Sequence, residues 1–277
     1  MGLTKQYLRY APQASFGLIA STKGGLVRLG DKHLVATSTA ESVSIWNLKT
    51  GVKDAELNSS NHHEVTALAI SENHDKLAYG LNDGSIKMFC RDEDYEWSWE
   101  EHSGVVFNGH KSAITCLAFD EDGHRLASGS RDTNVIVWDT VNECGLYRLK
   151  GHKGPVTSVA FDKERTNILV TSSKDTSVKF WDLNVQHCFK TLTEHIMEVW
   201  DFLLVKDYII TGTNDSELRI FKLIYNEKEN NRTTLEPHMK RLKFVENAGE
   251  EDDDESDQVI LRVFFFSVHN IRNILIS

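Results

Sequence analysis

RLASGSRDTNVIVWD, from Arg125 to Asp139, reads as two short strands joined by a tight turn. Leu126-Ala-Ser-Gly-Ser and Val135-Ile-Val-Trp are small, β-branched or aromatic, as strands require. Between them, Ser130-Arg-Asp-Thr133 puts an Asp where its carboxylate can accept backbone N–H groups. The line recurs along the chain. ILVTSSKDTSVKFWD (Ile168–Asp182) and YIITGTNDSELRIFK (Tyr208–Lys222) are further copies, KLAYGLNDGSIKMFC (Lys76–Cys90) is an earlier one, and HLVATSTAESVSIWN (His33–Asn47) is weaker. The closing aromatics are Trp46, Phe89, Trp138, Trp181 and Phe221, at spacings of 43, 49, 43 and 40. A period near 40 residues overrides any domain count taken from the length of 277 residues.

Each copy is preceded by a second element. Gly109-His110 is followed by Ile114-Thr115, Gly151-His152 by Val156-Thr157, and Glu194-His195 by Val199, while His62-His63 precedes Val65-Thr66 after a shorter loop. Together these residues resemble the WD40 repeat, whose Gly-His and Trp-Asp dipeptides bracket one four-stranded propeller blade. The resemblance implies an all-β WD40 β-propeller with five recognisable blades over residues 1–224. The blades fall at about 25–57, 62–106, 110–150, 152–193 and 195–224. One blade cannot bury both faces of its own sheet, so the repeats are stable only as an array. Five blades do not close a seven-bladed ring, and the expectation is an incomplete one, as from a truncated chain. Phe16 to Ala20 could add an outer strand to a last blade.

His110, Ser128, Asp132 and Trp138 form a set that repeats as His152, Thr171, Asp175 and Trp181. Ser, His and Asp suggest a hydrolase, but no G-x-S-x-G elbow is present and the fourth member is an indole donor. In WD40 proteins, which these residues resemble, the set is a buried hydrogen-bond relay from Trp to Ser or Thr to His to Asp. The expectation is therefore structural, with no catalytic residue. Tyr79 and Phe89 break the pattern in blade 2 and Phe221 breaks it in blade 5, so those blades should lack the full relay and be softer.

Hydrophobic residues make up 40% and charged residues 26% of the chain, the composition of a soluble globular protein. The net charge of −10 argues against a general nucleic-acid surface. Residues 226–257 hold eleven Asp/Glu against five Lys/Arg, a net of −6. That stretch, with EEDDDESD at Glu250–Asp257, reads as an acidic disordered linker over 225–257. Residues 258–277 form a divergent apolar tail whose longest run, Val259–Val268, is interrupted by Arg262 and too short to span a membrane. The amino terminus has no signal-peptide core. Cys90, Cys116, Cys144 and Cys188 lack metal-ligand spacing and read as reduced thiols. His62-His63-Glu64 falls where a blade begins, and no second ligand pair lies at zinc spacing, so neither metal nor cofactor is expected.

Function should then lie on the rims. Residues just after the leading His and just before the turn Asp should share one rim. In blades 3 and 4 these are Lys111, Arg131, Lys153 and Lys174, either solvated charge or a docking strip for an acidic peptide or a phosphate backbone. Blade 5 has Ile196 and Asn214 there. The insertion RDEDYEWSWEEHSG (Arg91–Gly104) alternates Tyr95, Trp97 and Trp99 with polar residues. Those aromatics pack as an outer strand or, if they project, Trp97 and Trp99 anchor a partner.

Several stretches narrow the resemblance: MGLTKQYLRY with FGLI at Phe16–Ile19, FNGHKSAIT at Phe107, GLYRLKGHK at Gly145, QHCFKTL at Gln186 and DSELRI at Asp215. They are similar to the amino-terminal propeller of the U3 snoRNA-associated WD-repeat family of the small-subunit processome. That resemblance implies a nucleolar, non-enzymatic scaffold in pre-18S rRNA processing. Its partners would be other WD-repeat subunits of the UTP-B subcomplex, the U3 snoRNP and pre-rRNA, with direct and indirect RNA contact both open. No small-molecule substrate is implied. The alternative is a generic WD40 adaptor, such as a ubiquitin-ligase substrate receptor. A third reading, an enzyme using Ser128 and His110, is the weakest.

Overall fold

Each copy of the repeat folds as a four-stranded antiparallel sheet, because apolar segments three to seven residues long are separated by turns, and the second strand of a blade, such as Arg125–Ser130, is buried almost throughout between its neighbours. The computed structural model describes residues 24–30, 33–58, 62–91, 97, 104–215, 217–225, 233–234 and 240–243. Among these residues the chain is all strand and turn, with no helix.

Blade 1 comprises β1 (Leu26–Arg28), β2 (Leu34–Ser38), β3 (Ser42–Asn47) and β4 (Val52–Asn58). Blade 2 comprises β5 (Val65–Ile70), β6 (Lys76–Leu81), β7 (Ile86–Cys90) and β8 (Val105–Phe107). Blade 3 comprises β9 (Ile114–Phe119), β10 (Arg125–Ser130), β11 (Val135–Asp139) and β12 (Cys144–Leu149). Blade 4 follows with β13 (Val156–Phe161), β14 (Ile168–Ser173), β15 (Val178–Asp182) and β16 (His187–Leu192). Blade 5 has β17 (Val199–Val205), β18 (Tyr208–Thr213) and β19 (Glu217–Lys222).

The outer strand of blade 5 comes from beyond residue 224, inside the segment that charge alone marks as linker. After the small pair β20 (Ile224–Tyr225) and β21 (Thr233–Thr234), β22 (Lys240–Lys243) pairs antiparallel with β19 in the register Glu217↔Lys243. Net charge over a window does not register a four-residue strand flanked by acids. The acidic run Glu250–Asp257, the tail 258–277 and Phe16 to Ala20 lie outside the described residues.

Among the described residues the buried apolar side chains fall into four clusters, one between each pair of successive blades. Ile45 and Val43 meet Leu77, Tyr79 and Phe89 between blades 1 and 2. Met88 and Ala78 meet Leu117 and Leu126 between blades 2 and 3, and Val137 and Ala127 meet Val159 and Leu169 between blades 3 and 4. Phe180 and Val178 meet Phe202 and Ile209 between blades 4 and 5. Burying such a side chain contributes about 1.5–3 kcal/mol, so most stabilisation lies between blades. The inner strands β5, β9, β13 and β17 pack in sequence order, and among the described residues the sheets form an incomplete propeller, not a closed ring.

Two recurrent irregularities position the polar groups. At the start of each inner strand in blades 2 to 5 the register slips by one residue, leaving Thr66, Thr115, Thr157 and Trp200 unpaired. Such a bulge re-aims the side chain it frees. Thr115 Oγ1 donates to the Val156 carbonyl at 2.5 Å and Thr157 Oγ1 to the Val199 carbonyl at 2.7 Å, tying each inner strand to the next blade. A second slip falls opposite Trp46, Trp138 and Trp181, where β4, β12 and β16 each carry an extra residue.

Candidate functional site

The turn between β10 and β11 fixes the first polar group. Thr133 N–H donates to the Ser130 carbonyl at 3.3 Å and Ser130 N–H to the Asn134 carbonyl at 3.3 Å, with Thr133 at φ 68°. This is a three-residue hairpin loop with its last residue in the left-handed region. Ser130 Oγ, itself donating to the Ser112 carbonyl at 2.9 Å, accepts the Asp132 N–H at 3.1 Å and orients that residue. The Asp132 carboxylate then accepts N–H groups from Lys111 at 2.9 Å and Asn134 at 3.0 Å. One carboxylate thus fastens the turn and the loop that opens the blade.

The same carboxylate meets His110 Nδ1 at 3.1 Å, while His110 Nε2 lies 2.8 Å from Ser128 Oγ. Trp138 Nε1 donates to that oxygen, also at 2.8 Å. A single proton arrangement satisfies every group: indole N–H to hydroxyl, hydroxyl to Nε2, and Nδ1–H to carboxylate. Gly109 is required beside His110, since a Cβ there would stand 2.7 Å from the Trp138 ring. Blade 4 repeats the chain. Trp181 Nε1 to Thr171 Oγ1 is 2.8 Å, Thr171 Oγ1 to His152 Nε2 is 2.8 Å, and His152 Nδ1 to Asp175 is 3.1 Å. Asp175 also accepts from Lys153 N–H at 2.7 Å and from Ser177 N–H and hydroxyl.

Burial sets the charges. Desolvation pushes the His110 ring down, only partly opposed by Asp132, so it stays neutral. Burial alone would raise Asp132, but the Lys111 and Asn134 N–H groups and His110 outweigh it and hold the carboxyl below its usual range. For Asp175 burial likewise opposes, and His152, Ser177 and the Lys153 N–H hold it lower still. Ser128 and Thr171 are both 0% exposed. A hydroxyl that already accepts an indole N–H and has no solvent access cannot attack a substrate carbonyl.

Blades 2 and 5 use other solutions. In blade 2 His63 faces Asp83 at 3.4 Å through its other ring nitrogen, Nε2, and buried Tyr79 stacks on Phe89 with centroids 6.1 Å apart. In blade 5, His195 Nε2 keeps Thr211 Oγ1 at 2.8 Å and its ring meets Phe221 edge-on at 5.6 Å. Asp215 has turned to Arg219, whose Nη2 lies 2.9 Å away and which is 4% exposed. Thr213 Oγ1 also donates to Asp215, and Arg219 Nη1 donates to Thr213 Oγ1 at 3.3 Å. Arg219 sits two residues before the aromatic, where a lone cation on a short strand is the signal.

The rim groups separate as well. Lys111, Arg131 and Lys153 are exposed and make no ion pair among the described residues. Lys174 differs. Its Nζ lies 3.3 Å from Glu198 Oε2 and 3.9 Å from the centroid of the Trp200 ring, joining the blade 4 turn to the loop before β17. The fourth arc residue is therefore spent inside the fold. That loop exposes Ile196 at 77% and Met197 at 50%. Trp97 forms an antiparallel bridge with Arg91, whose guanidinium carbon is 5.4 Å from its ring, and packs on the cluster between blades 1 and 2. Trp99 lies outside the described residues.

His62 Nδ1 pairs with Glu41 at 2.8 Å on the surface, so neighbouring His62 and His63 face different carboxylates. Among the described residues no three His, Cys, Asp or Glu converge as metal ligands, and the four cysteines are free thiols.

Residues 33–223 match the family model described as the WDR3 first beta-propeller domain. The chain is 35% identical over 228 residues to U3 small nucleolar RNA-associated protein 12 of Saccharomyces cerevisiae, covering 74% of this chain and 23% of that protein. WD repeat-containing protein 3 of Mus musculus is 47% identical over 93 residues, 32% of this chain and 10% of that one. Transducin beta-like protein 3 of Bos taurus is 29% identical over 182 residues, 64% of this chain and 22% of that one. The chain spans less than a quarter of the length of these relatives.

Proposed function

The chain belongs to the WDR3 first beta-propeller domain family, and on that footing we propose that it is a non-enzymatic WD40 scaffold in small ribosomal subunit assembly, working with the U3 small nucleolar RNA particle. The observation that carries the non-enzymatic part is the engagement of the buried hydroxyl on all sides: Ser128 Oγ lies 2.8 Å from both Trp138 Nε1 and His110 Nε2 and 3.2 Å from the Ile136 carbonyl. Buried polar chains of this kind rigidify a core. The ribosomal part is supported by the 35% identity to a protein named for U3 small nucleolar RNA. Its partners on this reading are other WD-repeat subunits of the UTP-B subcomplex, with U3 snoRNP and pre-rRNA reached directly or through them, and its place is the nucleolus.

The test is affinity purification of the tagged chain with sequencing of bound RNA, alongside imaging against a nucleolar marker. Enrichment of U3 snoRNA and pre-18S rRNA with nucleolar signal is the expected result. A diffuse protein free of both RNAs would overturn the proposal.

A further inference from the structure

The loops that open blades 3, 4 and 5 stand side by side on one rim. Thr115, four residues after Lys111, donates to the Val156 carbonyl, and Thr157, four residues after Lys153, donates to the Val199 carbonyl. Lys174 pairs with Glu198, two residues after Ile196, and so fastens the blade 4 turn to the blade 5 loop. Three exposed cations without ion pairs, Lys111, Arg131 and Lys153, therefore lead into two exposed aliphatic side chains, Ile196 and Met197. The strip is bounded on the blade 2 side by Glu64 and Asn82.

We infer that this strip binds an extended acidic peptide segment carrying an aliphatic residue, the acids over blades 3 and 4 and the aliphatic over blade 5. Packed sheets lie roughly 10 Å apart, so three successive loops span about 20 Å, or about six extended residues. Charge complementarity selects the acids. The two acids nearest the cations do not cancel them, because Asp132 and Asp175 are turned inward onto backbone N–H groups and histidines. Glu198 is taken by Lys174. RNA fits the strip less well. A single strand needs open aromatic faces for base stacking and a long basic track. The ring in the strip, Trp200, is only half-buried but has Lys174 Nζ 3.9 Å over its face. Three cations on a chain of net charge −10 make a short track.

The inference names a partner class for the scaffold proposed above, yet its test is separate from U3 copurification and can fail alone. The full chain is applied to an array of random octapeptides and, in parallel, to fluorescein-labelled octauridylate. Retained peptides should carry at least two Asp or Glu and an aliphatic residue. Lys111→Glu/Arg131→Glu/Lys153→Glu should weaken the best of them at least tenfold, and Ile196→Ser/Met197→Ser several-fold. Lys49→Glu/Lys206→Glu, exposed charge reversals on the opposite rim, controls for net charge and should change binding less than twofold. Melting curves of all variants check that each is folded. Retention without acidic preference, an equal effect of the control, no retained peptide, or octauridylate binding lost on the same triple reversal would each overturn the inference.

Discussion

Trp138 hands its indole N–H to Ser128 across 2.8 Å inside blade 3. The pair makes an asymmetric prediction. Ser128→Ala leaves a buried donor unsatisfied and should cost about 1–3 kcal/mol. Trp138→Phe should also destabilise. The double variant removes both partners, as blade 2 does with Tyr79 and Phe89, and should cost less than the sum of the singles. Urea unfolding of the four proteins measures the coupling. Strict additivity would mean the bond contributes nothing specific, and loss of an assayable activity in folded Ser128→Ala would point to catalysis.

Acid should weaken the fold before the relay carboxylates Asp132 and Asp175 titrate. His195 is pushed down to about 4, by burial first and by the Arg219 charge second, with Asp215 and the Thr176 backbone opposing. An unfolded imidazole titrates near 6.5. Between those values the unfolded chain binds a proton that the native state refuses, so stability falls as pH drops from about 6.5 towards 4. His110 shifts in the same direction and adds to the slope. Asp132 and Asp175, held below the carboxylate range, contribute above about pH 4, and their stabilisation is lost only at lower pH. Urea midpoints taken from pH 7 to pH 4.5 should decline, and His195→Gln should flatten that decline. A pH-independent midpoint in the parent chain refutes the assignment.

What the sequence disclosed depended on repetition. Ser128, His110, Asp132 and Trp138 were legible because the same residue types return at fixed spacing in blade 4. The capture of Asp215 by Arg219 was not, because a cation two residues before the aromatic is ambiguous. Lys87 and Arg219 hold that place in the two Phe blades, but Lys179 holds it in a Trp blade and donates to Thr191 Oγ1 at 3.1 Å instead. Lys174 reads in the sequence as rim charge, because a sequence gives the sign of a residue and not its partner. The outer strand of blade 5 was hidden by a connection longer than in blades 1, 3 and 4 and by surrounding acids.

Thr133 occupies a left-handed position, φ 68°, where blade 2 has Gly84 at φ 96°. A β-branched residue there is strained by about 1–2 kcal/mol, against a cost of roughly 0.5–1 kcal/mol for the added freedom of glycine in the unfolded chain. Thr133→Gly should therefore be neutral or raise stability by up to about 1 kcal/mol. The reverse change, Gly84→Thr, should be severe, because a Cβ at Gly84 would stand 2.8 Å from the His110 carbonyl and 2.9 Å from that of Ser112. Melting temperatures of the two variants separate strain in the turn from contact between blades. If both were equally destabilising, turn strain would not be the difference.

Thr157 tests whether the blades fold as one unit. Its hydroxyl is freed by the register slip between Val156 and Ser158, contacts Ser172 Oγ at 2.8 Å and donates to the Val199 carbonyl of the next blade at 2.7 Å. Thr157→Val keeps the shape and removes both bonds, a loss of about 1–2 kcal/mol. In a repeat array that loss falls on the interface between neighbours, not on either blade alone. Hydrogen exchange should then accelerate in β17 and β18 more than in β9 and β10, because blade 5 has blade 4 as its described neighbour while blade 3 is held on both sides. Uniform acceleration across all five blades would mean that the array opens globally and that this bond is not what couples blade 5 to the rest.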